Sequence, residues 1–388
     1  MASDNIKNAR FRAGSYVFGP DDTRSFRPSD LPPDPPLEMA DKDLSLLSEA
    51  DISLGRLDGL AEILPDTDMF VMMYIRKEAV LSSQIEGTQA SLLDVIGLES
   101  EVLDPGRPKD VSEVINYVKA LNLGLEKIAA GSKLNMDLVC QMHKVLLKGV
   151  RGGRAAPGCT RKVQNWIGSP GAGIEKAIYV TPSVKDMVRA LEGLEDFINM
   201  KRPRSPLIKA GLVHSQFETI HPFIDGNGRM GRLLITMILM VEGVLQRPLL
   251  YLSHHFKRHR GEYYERLQSV RDEGDWEGWI RFFLQGVRDV SAQAIVTSKS
   301  IIALKADQTV LVKDKIERGT GRALDLLDKL YKKPVVNIET VKGITGLSFS
   351  SANDLTEKFV EMGILKEISG RKKGRIFECS EYLRLLSD

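Results

Sequence analysis

Apolar residues recur at every third or fourth position along most of this 388-residue chain. This spacing is typical of amphipathic helices, which bury one face against their neighbours. It is clearest in residues 44–101, 110–131, 135–148, 181–200 and 206–217. We therefore expect a mainly α protein whose core consists of packed helices.

Composition narrows the class of protein. The 54 basic and 52 acidic residues give a net charge of only +2, which argues against a protein that coats nucleic acid. Cys140, Cys159 and Cys379 are too widely spaced for a disulfide framework or a zinc ribbon, and they favour a reducing compartment. No apolar segment approaches the roughly 20 residues of a membrane helix, and the first residues lack a secretory signal. We expect a cytoplasmic protein of two or three domains without a membrane partner.

Three interruptions of the helical pattern suggest how the chain is divided. Residues 20–39 contain six prolines and predict an extended arm. The β-prone runs 164–167 and 177–180 flank a turn rich in glycine and predict a small β-hairpin. Gly319-Thr320-Gly321 predicts a linker. The expected domains are an N-terminal arm and helical region (1–110), a core (111–300) and a C-terminal domain (318–388).

The C-terminal domain has a pattern of its own. Three helical runs, a β-prone run at 365–368, a basic turn at 370–374 and a second β-prone run at 375–377 follow one another. This order predicts a winged helix-turn-helix, whose wing can contact a DNA backbone. The tail from Arg318 carries 13 basic and 10 acidic residues, which is a weak electrostatic footprint for DNA. Contact of this tail with DNA or with protein therefore stays open.

The densest cluster of chemically active side chains is the segment HPFIDGNGRMGR, residues 221–232. Its glycines fit the G-x-G-x-x-G pattern of dinucleotide-binding folds, but that pattern must follow a strand, and this segment follows a helical run and enters another helix. A glycine-rich turn that enters a helix directs free backbone N–H groups at one point, where an anion such as a phosphate is favoured.

The side chains of this segment suit a nucleotide. Arg229 and Arg232 are three residues apart and can hold outer phosphates. Asp225 supplies a hard oxygen ligand for Mg²⁺, which commonly bridges a carboxylate and substrate phosphates. His221 is a candidate general base, because imidazole titrates near neutral pH.

Residues 221–232 match every defined position of H-P-F-x-[DE]-G-N-G-R-x-x-R, and the chain therefore resembles the Fic family. Fic proteins share a helical core and mostly transfer AMP from ATP to a Ser, Thr or Tyr hydroxyl of a target protein. The resemblance implies that His221 deprotonates this hydroxyl and that Asp225 holds Mg²⁺. It further implies that ATP is bound by an anion hole and two phosphate ligands, formed by Gly226, Asn227, Gly228, Arg229 and Arg232.

The resemblance extends to other segments. Trp166-Ile167 and Tyr179-Val180 resemble the flap hairpin of the family, which aligns the target segment by strand pairing. His259 stands where relatives often carry an asparagine that contacts adenosine, and this implies a further ATP-binding residue. The C-terminal segment resembles the winged-helix tail of larger bacterial members.

An upstream segment implies regulation. Residues 82–87, SSQIEG, resemble the inhibitory motif [ST]-x-x-x-E-[GN] of the family, here on a helix that precedes the core. A Glu86 carboxylate paired with Arg232 would have to be displaced by the γ-phosphate of ATP. Ser82 and Glu86 are the expected inhibitory residues.

Two functions remain as candidates from sequence. The first is a Mg²⁺-dependent protein adenylyltransferase that modifies target proteins and itself, and is inhibited by Glu86. The alternative is a nucleotide-sensing transcriptional regulator that binds DNA through its winged-helix tail. A homodimer is compatible with either function.

Overall fold

The computed structural model describes residues 11–19, 23–63, 67–99, 110–168, 171, 173–200 and 205–387, and most of them are helical. The first part of the chain contains β1 (Gly14–Phe18), β2 (Arg24–Pro28), α1 (Asp41–Ile63), α2 (Thr67–Ile85), α3 (Leu92–Glu99), α4 (Val111–Ala129) and α5 (Met136–Leu146). The middle part contains β3 (Trp166–Ile167), β4 (Tyr179–Val180), α6 (Val184–Asn199), α7 (Pro206–Ile220), α8 (Asn227–Val241), α9 (Ser253–Arg258) and α10 (Arg260–Glu273). The mainly α class is confirmed.

The last part of the chain begins with the 40-residue helix α11 (Trp276–Lys315). It continues with α12 (Thr320–Lys332), β5 (Val335–Asn337), α13 (Ile338–Thr345), α14 (Phe349–Glu361), β6 (Lys366–Glu367), β7 (Ile376–Glu378) and α15 (Ser380–Ser387). None of the helices in the described residues is both long enough and apolar enough to cross a membrane.

Helices α7 and α8 form the centre of the molecule. Every residue of α7 after Pro206 is buried, and α8 packs against it while also contacting α2 and α4. The Ser205 side chain accepts a hydrogen bond from the Ile208 N–H, and Pro206 occupies the first turn, so α7 has a well-defined start. Because both helices are packed against neighbours on all sides, the end of α7 and the start of α8 have fixed positions. The segment 221–226 connects these two ends.

Two small antiparallel hairpins lie beside this centre. In the first, β1 pairs with β2, with Gly14 opposite Pro28. In the second, β3 pairs with β4, with Trp166 opposite Val180, as the β-prone runs predict. The extended arm predicted over residues 20–39 is only partly correct, because β2 lies within it and is paired. The buried ring of Phe26 in β2 lies 6.2 Å from that of Tyr179, so the first hairpin supports the second.

The C-terminal part differs from the prediction at its start. Gly319 has a φ of 79° and caps α12, so Thr320 and Gly321 are helical, and the break between α11 and α12 lies at residues 316–319 rather than at the predicted Gly319-Thr320-Gly321. Strands β5, β7 and β6 form an antiparallel sheet in that order, and neither β5 nor α15 was predicted. Helices α12 and α15 pack against α11. The winged helix-turn-helix and the domain boundaries stay predictions.

Candidate active site

The segment 221–226 forms a tight loop between α7 and α8. His221 ends α7 with a φ of 50°, and Gly226 precedes α8 with a φ of 82°. The Asn227 side chain closes the loop, because its Oδ1 accepts from the Phe223 N–H at 2.9 Å and its Nδ2 donates to the Phe223 carbonyl at 2.8 Å. The Asn227 side chain therefore holds the loop, and the backbone N–H groups of the first turn of α8 remain for an anion.

His143 on α5 supports the loop from below, and the sequence analysis did not identify it. Its Nδ1 accepts from the Gly158 N–H at 2.9 Å, so the ring proton must lie on Nε2, which donates to the Asp225 carbonyl at 2.9 Å. The ring stacks on Phe223 with centroids 3.7 Å apart. Burial lowers the pKa of His143, in agreement with a neutral ring. Its position within an ordinary amphipathic helix gave no signal in the sequence.

Arg161 joins the flap hairpin to the loop. This buried guanidinium donates to the carbonyls of His221 at 3.0 Å, Val163 at 3.1 Å and Pro182 at 2.6 Å. Burial lowers the pKa of Arg161 to about 10, so the group remains charged at neutral pH. Both ends of the hairpin are thereby fixed relative to His221.

A cavity of about 890 Å³ lies between the loop, the hairpin and α10. It brings together eight of the residues predicted from sequence, namely Glu86, Trp166, Ile167, Tyr179, His221, Asp225, Gly228 and Arg232. Helix α10 contributes Arg260, Tyr263 and Tyr264 to the opposite wall. The cavity therefore has an imidazole, a carboxylate and a guanidinium on one side and aromatic rings on the other.

His221 and Glu218 are titratable groups on the same wall of this cavity. Burial lowers the pKa of His221 to about 4, so the ring is neutral at pH 7 and able to accept a proton. Burial raises the pKa of Glu218, one turn earlier on α7, to about 7. The sequence analysis missed Glu218, which resembles any other charged residue of a helix.

Arg232 is paired with the segment that the sequence predicts to be inhibitory. Its Nη2 lies 2.7 Å from the Glu86 Oε1 and also donates to the Ser82 carbonyl, while its Nε donates to the Ser82 Oγ at 2.8 Å. Burial raises the pKa of Glu86, but the charge of Arg232 outweighs this effect and the pKa lies below its usual value. The Arg232 side chain is 1% exposed and that of Glu86 31%, so solvent reaches the pair from the Glu86 side.

Arg229 is placed differently from the prediction. Its Nη1 lies 3.0 Å from the Glu113 Oε2 on α4, in an ion pair that is almost entirely buried. Arg229 does not line the cavity, and its position is fixed by Glu113. Of the two arginines that the sequence assigned to the outer phosphates, only Arg232 lines the cavity in this conformation, and there it is paired with Glu86.

Asp225 is suited to share a metal ion with a substrate. Its side chain is 37% exposed towards the cavity, and its Oδ1 accepts from the Gly226 N–H at 2.6 Å. Within the described ranges, no cluster of three or more His, Cys, Asp or Glu side chains could hold a metal alone. A single open carboxylate fits Mg²⁺, which takes its other ligands from phosphates and water.

The remaining predicted residues differ in their relation to the cavity. Trp166 is 40% exposed at its rim, whereas Tyr179 is buried, donates to the Thr219 carbonyl at 2.6 Å and packs under the Arg271 guanidinium. Gly226 and Val180 do not line it. His259 is exposed between α9 and α10 and lies outside the cavity, with its ring 4.7 Å from that of His255.

Comparisons with known proteins identify the family that the chain resembles. Residues 44–126 match the family described as Fic/DOC family N-terminal, and residues 133–239 match the Fic/DOC family. "Protein adenylyltransferase Fic" of Nematostella vectensis is 27% identical over 59% of this chain and 50% of its own length. The protein of the same name from Aedes aegypti is 30% identical over 58% of this chain and 43% of its own. The chain thus spans about half the length of these curated relatives.

Solved structures agree at the level of the fold. A Fic family protein from Desulfovibrio desulfuricans aligns with a TM-score of 0.58 at 19% identity, over 89% of this chain and 97% of its own. A Fic domain containing signalling protein from Bacteroides thetaiotaomicron aligns with a TM-score of 0.51 at 16% identity, over 65% of this chain and 94% of its own. At such identities the likeness concerns the fold alone.

Proposed function

The chain belongs to the Fic/DOC family, and we propose that it is a protein adenylyltransferase, which transfers AMP from ATP to a Ser, Thr or Tyr hydroxyl of target proteins and of itself. The observation that carries this proposal is the placement of a neutral His221 at the end of α7, in one cavity with Arg232 and Asp225. The names of the curated relatives support the same activity.

The proposed reaction follows from these positions. The α-phosphate is held by the backbone N–H groups at the start of α8, and the γ-phosphate pairs with Arg232. His221 removes the proton from the target hydroxyl, whose oxygen forms a bond to the α-phosphorus. The bond between the α-phosphorus and its bridging oxygen breaks, and pyrophosphate leaves. When bound at Asp225, Mg²⁺ neutralises phosphate charge.

The flap supplies the place for the target. Strands β3 and β4 are only two residues long, and Trp166 and Ile178 are exposed beside the cavity. An extended target segment can add to such an edge through backbone hydrogen bonds, which do not depend on its sequence. Arg161 fixes the distance between that edge and His221.

In this proposal Glu86 inhibits the enzyme through its pair with Arg232. A nucleotide that enters the cavity has to separate this pair before its γ-phosphate can bind the guanidinium. The Glu86–Arg232 pair supports this part of the proposal, and loss of the Glu86 carboxylate should activate the enzyme.

Labelled ATP tests the proposed function. With Mg²⁺, label at the α-phosphate should enter protein, whereas label at the γ-phosphate should not, because it leaves with pyrophosphate. His221→Ala should lower incorporation by roughly 10²- to 10⁴-fold, the usual cost of losing a general base. His254→Ala is the matched control, since this half-buried imidazole does not line the cavity. Absence of α-label from all protein, together with retention of a DNA duplex, would favour the nucleotide-sensing regulator instead.

A further inference from the structure

A short loop after α5 contacts the inhibitory segment from the solvent side. Arg151 lies in this loop, with its side chain 55% exposed, and its Nη2 donates to the main-chain carbonyl of Glu86 at 3.2 Å. Its Nε is 3.8 Å from the Oε1 of Glu113, the residue that holds Arg229. Arg151 thus contacts two residues next to the motif arginines. These are Glu86, which pairs with Arg232, and Glu113, which pairs with Arg229.

The main-chain carbonyl of Glu86 lies at a helix end, where a hydrogen-bond donor from outside the helix stabilises it. Glu86 follows the last residue of α2, and its N–H donates to the Ser83 carbonyl in the closing turn. Carbonyls at a helix end lack partners within the helix, so a guanidinium that binds the Glu86 carbonyl satisfies one of them. The carboxylate of Glu86 binds Arg232 on the inner side while its carbonyl binds Arg151 on the outer side. Two arginines therefore hold this residue at two points.

The position of Arg151 is itself set by the active site. The adjacent Gly152 has a φ of 78° and lies so close to Asp225 that a Cβ would stand 2.4 Å from its Oδ2. Only glycine allows the loop to approach the carboxylate this closely. The loop therefore lies directly against Asp225, and the neighbouring Arg151 reaches the Glu86 carbonyl from it.

We propose that Arg151 is a positioning residue for inhibition, which keeps Glu86 in place against Arg232 by binding its main-chain carbonyl. This inference rests on the proposed function and concerns the regulation of the same site. Because this role of Arg151 is exerted through Glu86, its loss should raise the labelling rate only while the Glu86 carboxylate is present.

Substitution of Arg151 in the full-length protein tests this inference. Arg151→Ala should raise the initial rate of ATP-dependent self-labelling about 3- to 10-fold, the range expected for a partly exposed hydrogen bond from a charged group. Arg151→Lys keeps the charge but not the planar fork, and should fall between Arg151→Ala and wild type. Arg154→Ala is the matched control, because Arg154 is an exposed arginine of the same loop without a hydrogen bond to Glu86. In a Glu86→Gly background, Arg151→Ala should have no further effect.

Hydrogen exchange provides a readout that does not depend on activity. In Arg151→Ala the backbone amides of residues 86–88 should exchange faster than in wild type, while those of α8 should be unchanged. Unchanged exchange at 86–88 would overturn the inference, and so would equal acceleration of labelling by Arg151→Ala with and without Glu86. If no variant, Glu86→Gly included, is labelled, the proposed function fails, and the exchange measurement still decides the role of Arg151.

Discussion

Replacing Glu86 by glycine should activate self-labelling, and the structure sets the size of the effect. The pair that is lost is a charge-assisted hydrogen bond of 2.7 Å to an arginine that is 1% exposed. Hydrogen bonds to charged groups contribute about 1.5–3 kcal/mol, and each 1.4 kcal/mol is a factor of ten, so productive binding of ATP should improve about 10- to 100-fold. The two bonds from Arg232 to Ser82 remain and keep the guanidinium in the cavity.

Initial rates at an ATP concentration below the KM of wild type measure this effect most clearly. Glu86→Gln keeps the shape of the side chain but not its charge, so it should activate almost as strongly as Glu86→Gly. Ser82→Ala should activate less, because it only loosens the helix that presents Glu86. Arg232→Ala should abolish labelling even in the Glu86→Gly background, since in the proposed reaction the arginine that pairs with Glu86 also binds the γ-phosphate. Rates for Glu86→Gly and Glu86→Gln that equal wild type would refute this account of inhibition.

Three further predictions concern pH, metal and the C-terminal part. Glu218 keeps its proton to about pH 7 in the folded state but releases it near its ordinary pKa of 4.5 when unfolded, so the unfolding free energy should fall as pH rises through this window. The loss of unfolding free energy should be about 3 kcal/mol in wild type and absent in Glu218→Gln, and urea unfolding at pH 4.5 and 7.5 measures it. Unfolding free energies of the two proteins that change in parallel with pH would contradict the raised pKa of Glu218. Asp225→Asn should raise the Mg²⁺ concentration needed for half-maximal labelling, and an unchanged Mg²⁺ titration would remove Asp225 from the metal site. Replacing Arg371, Lys372 and Lys373 by alanine should weaken retention of a DNA duplex and flatten its salt dependence by about one unit per lost phosphate contact, whereas an unchanged slope would exclude the wing as a DNA contact.

Much of the helical body could be predicted because its signal is local. The spacing of apolar residues predicted α4 to α7 within a few residues, and Asn135 and Ser205 mark the starts of α5 and α7. The pairing of β1 with β2 was missed, since prolines dominate residues 20–39 and conceal the short strand among them. Strand β5 was missed for a related reason: three residues between two helices carry almost no periodicity.

Residues of the candidate site could be predicted where they belong to a contiguous motif, and not where they come from a distant helix. His221 and Asp225 could be identified because they belong to one contiguous segment, and Glu86 because it belongs to a second one. Glu113 and His143 come from helices distant in sequence, where a charged or imidazole side chain has no distinctive pattern.

The position of Arg229 shows the consequence of such distant contacts. Spacing along α8 suggested that Arg229 and Arg232 would act together, but a buried carboxylate on α4 holds Arg229 outside the cavity. Local sequence does not reveal that contact, because it depends on how α4 packs against α8.

Intact-mass spectrometry after incubation with Mg²⁺ and ATP tests the central claim most directly. The Glu86→Gly protein should gain the mass of one or more AMP groups, wild type should gain far less, and the Glu86→Gly protein that also carries His221→Ala should remain unmodified. Glu86→Gly protein that remains unmodified would contradict the proposed self-modification. AMP addition to the Glu86→Gly, His221→Ala protein at the rate of the Glu86→Gly protein would contradict the assignment of His221 as the base.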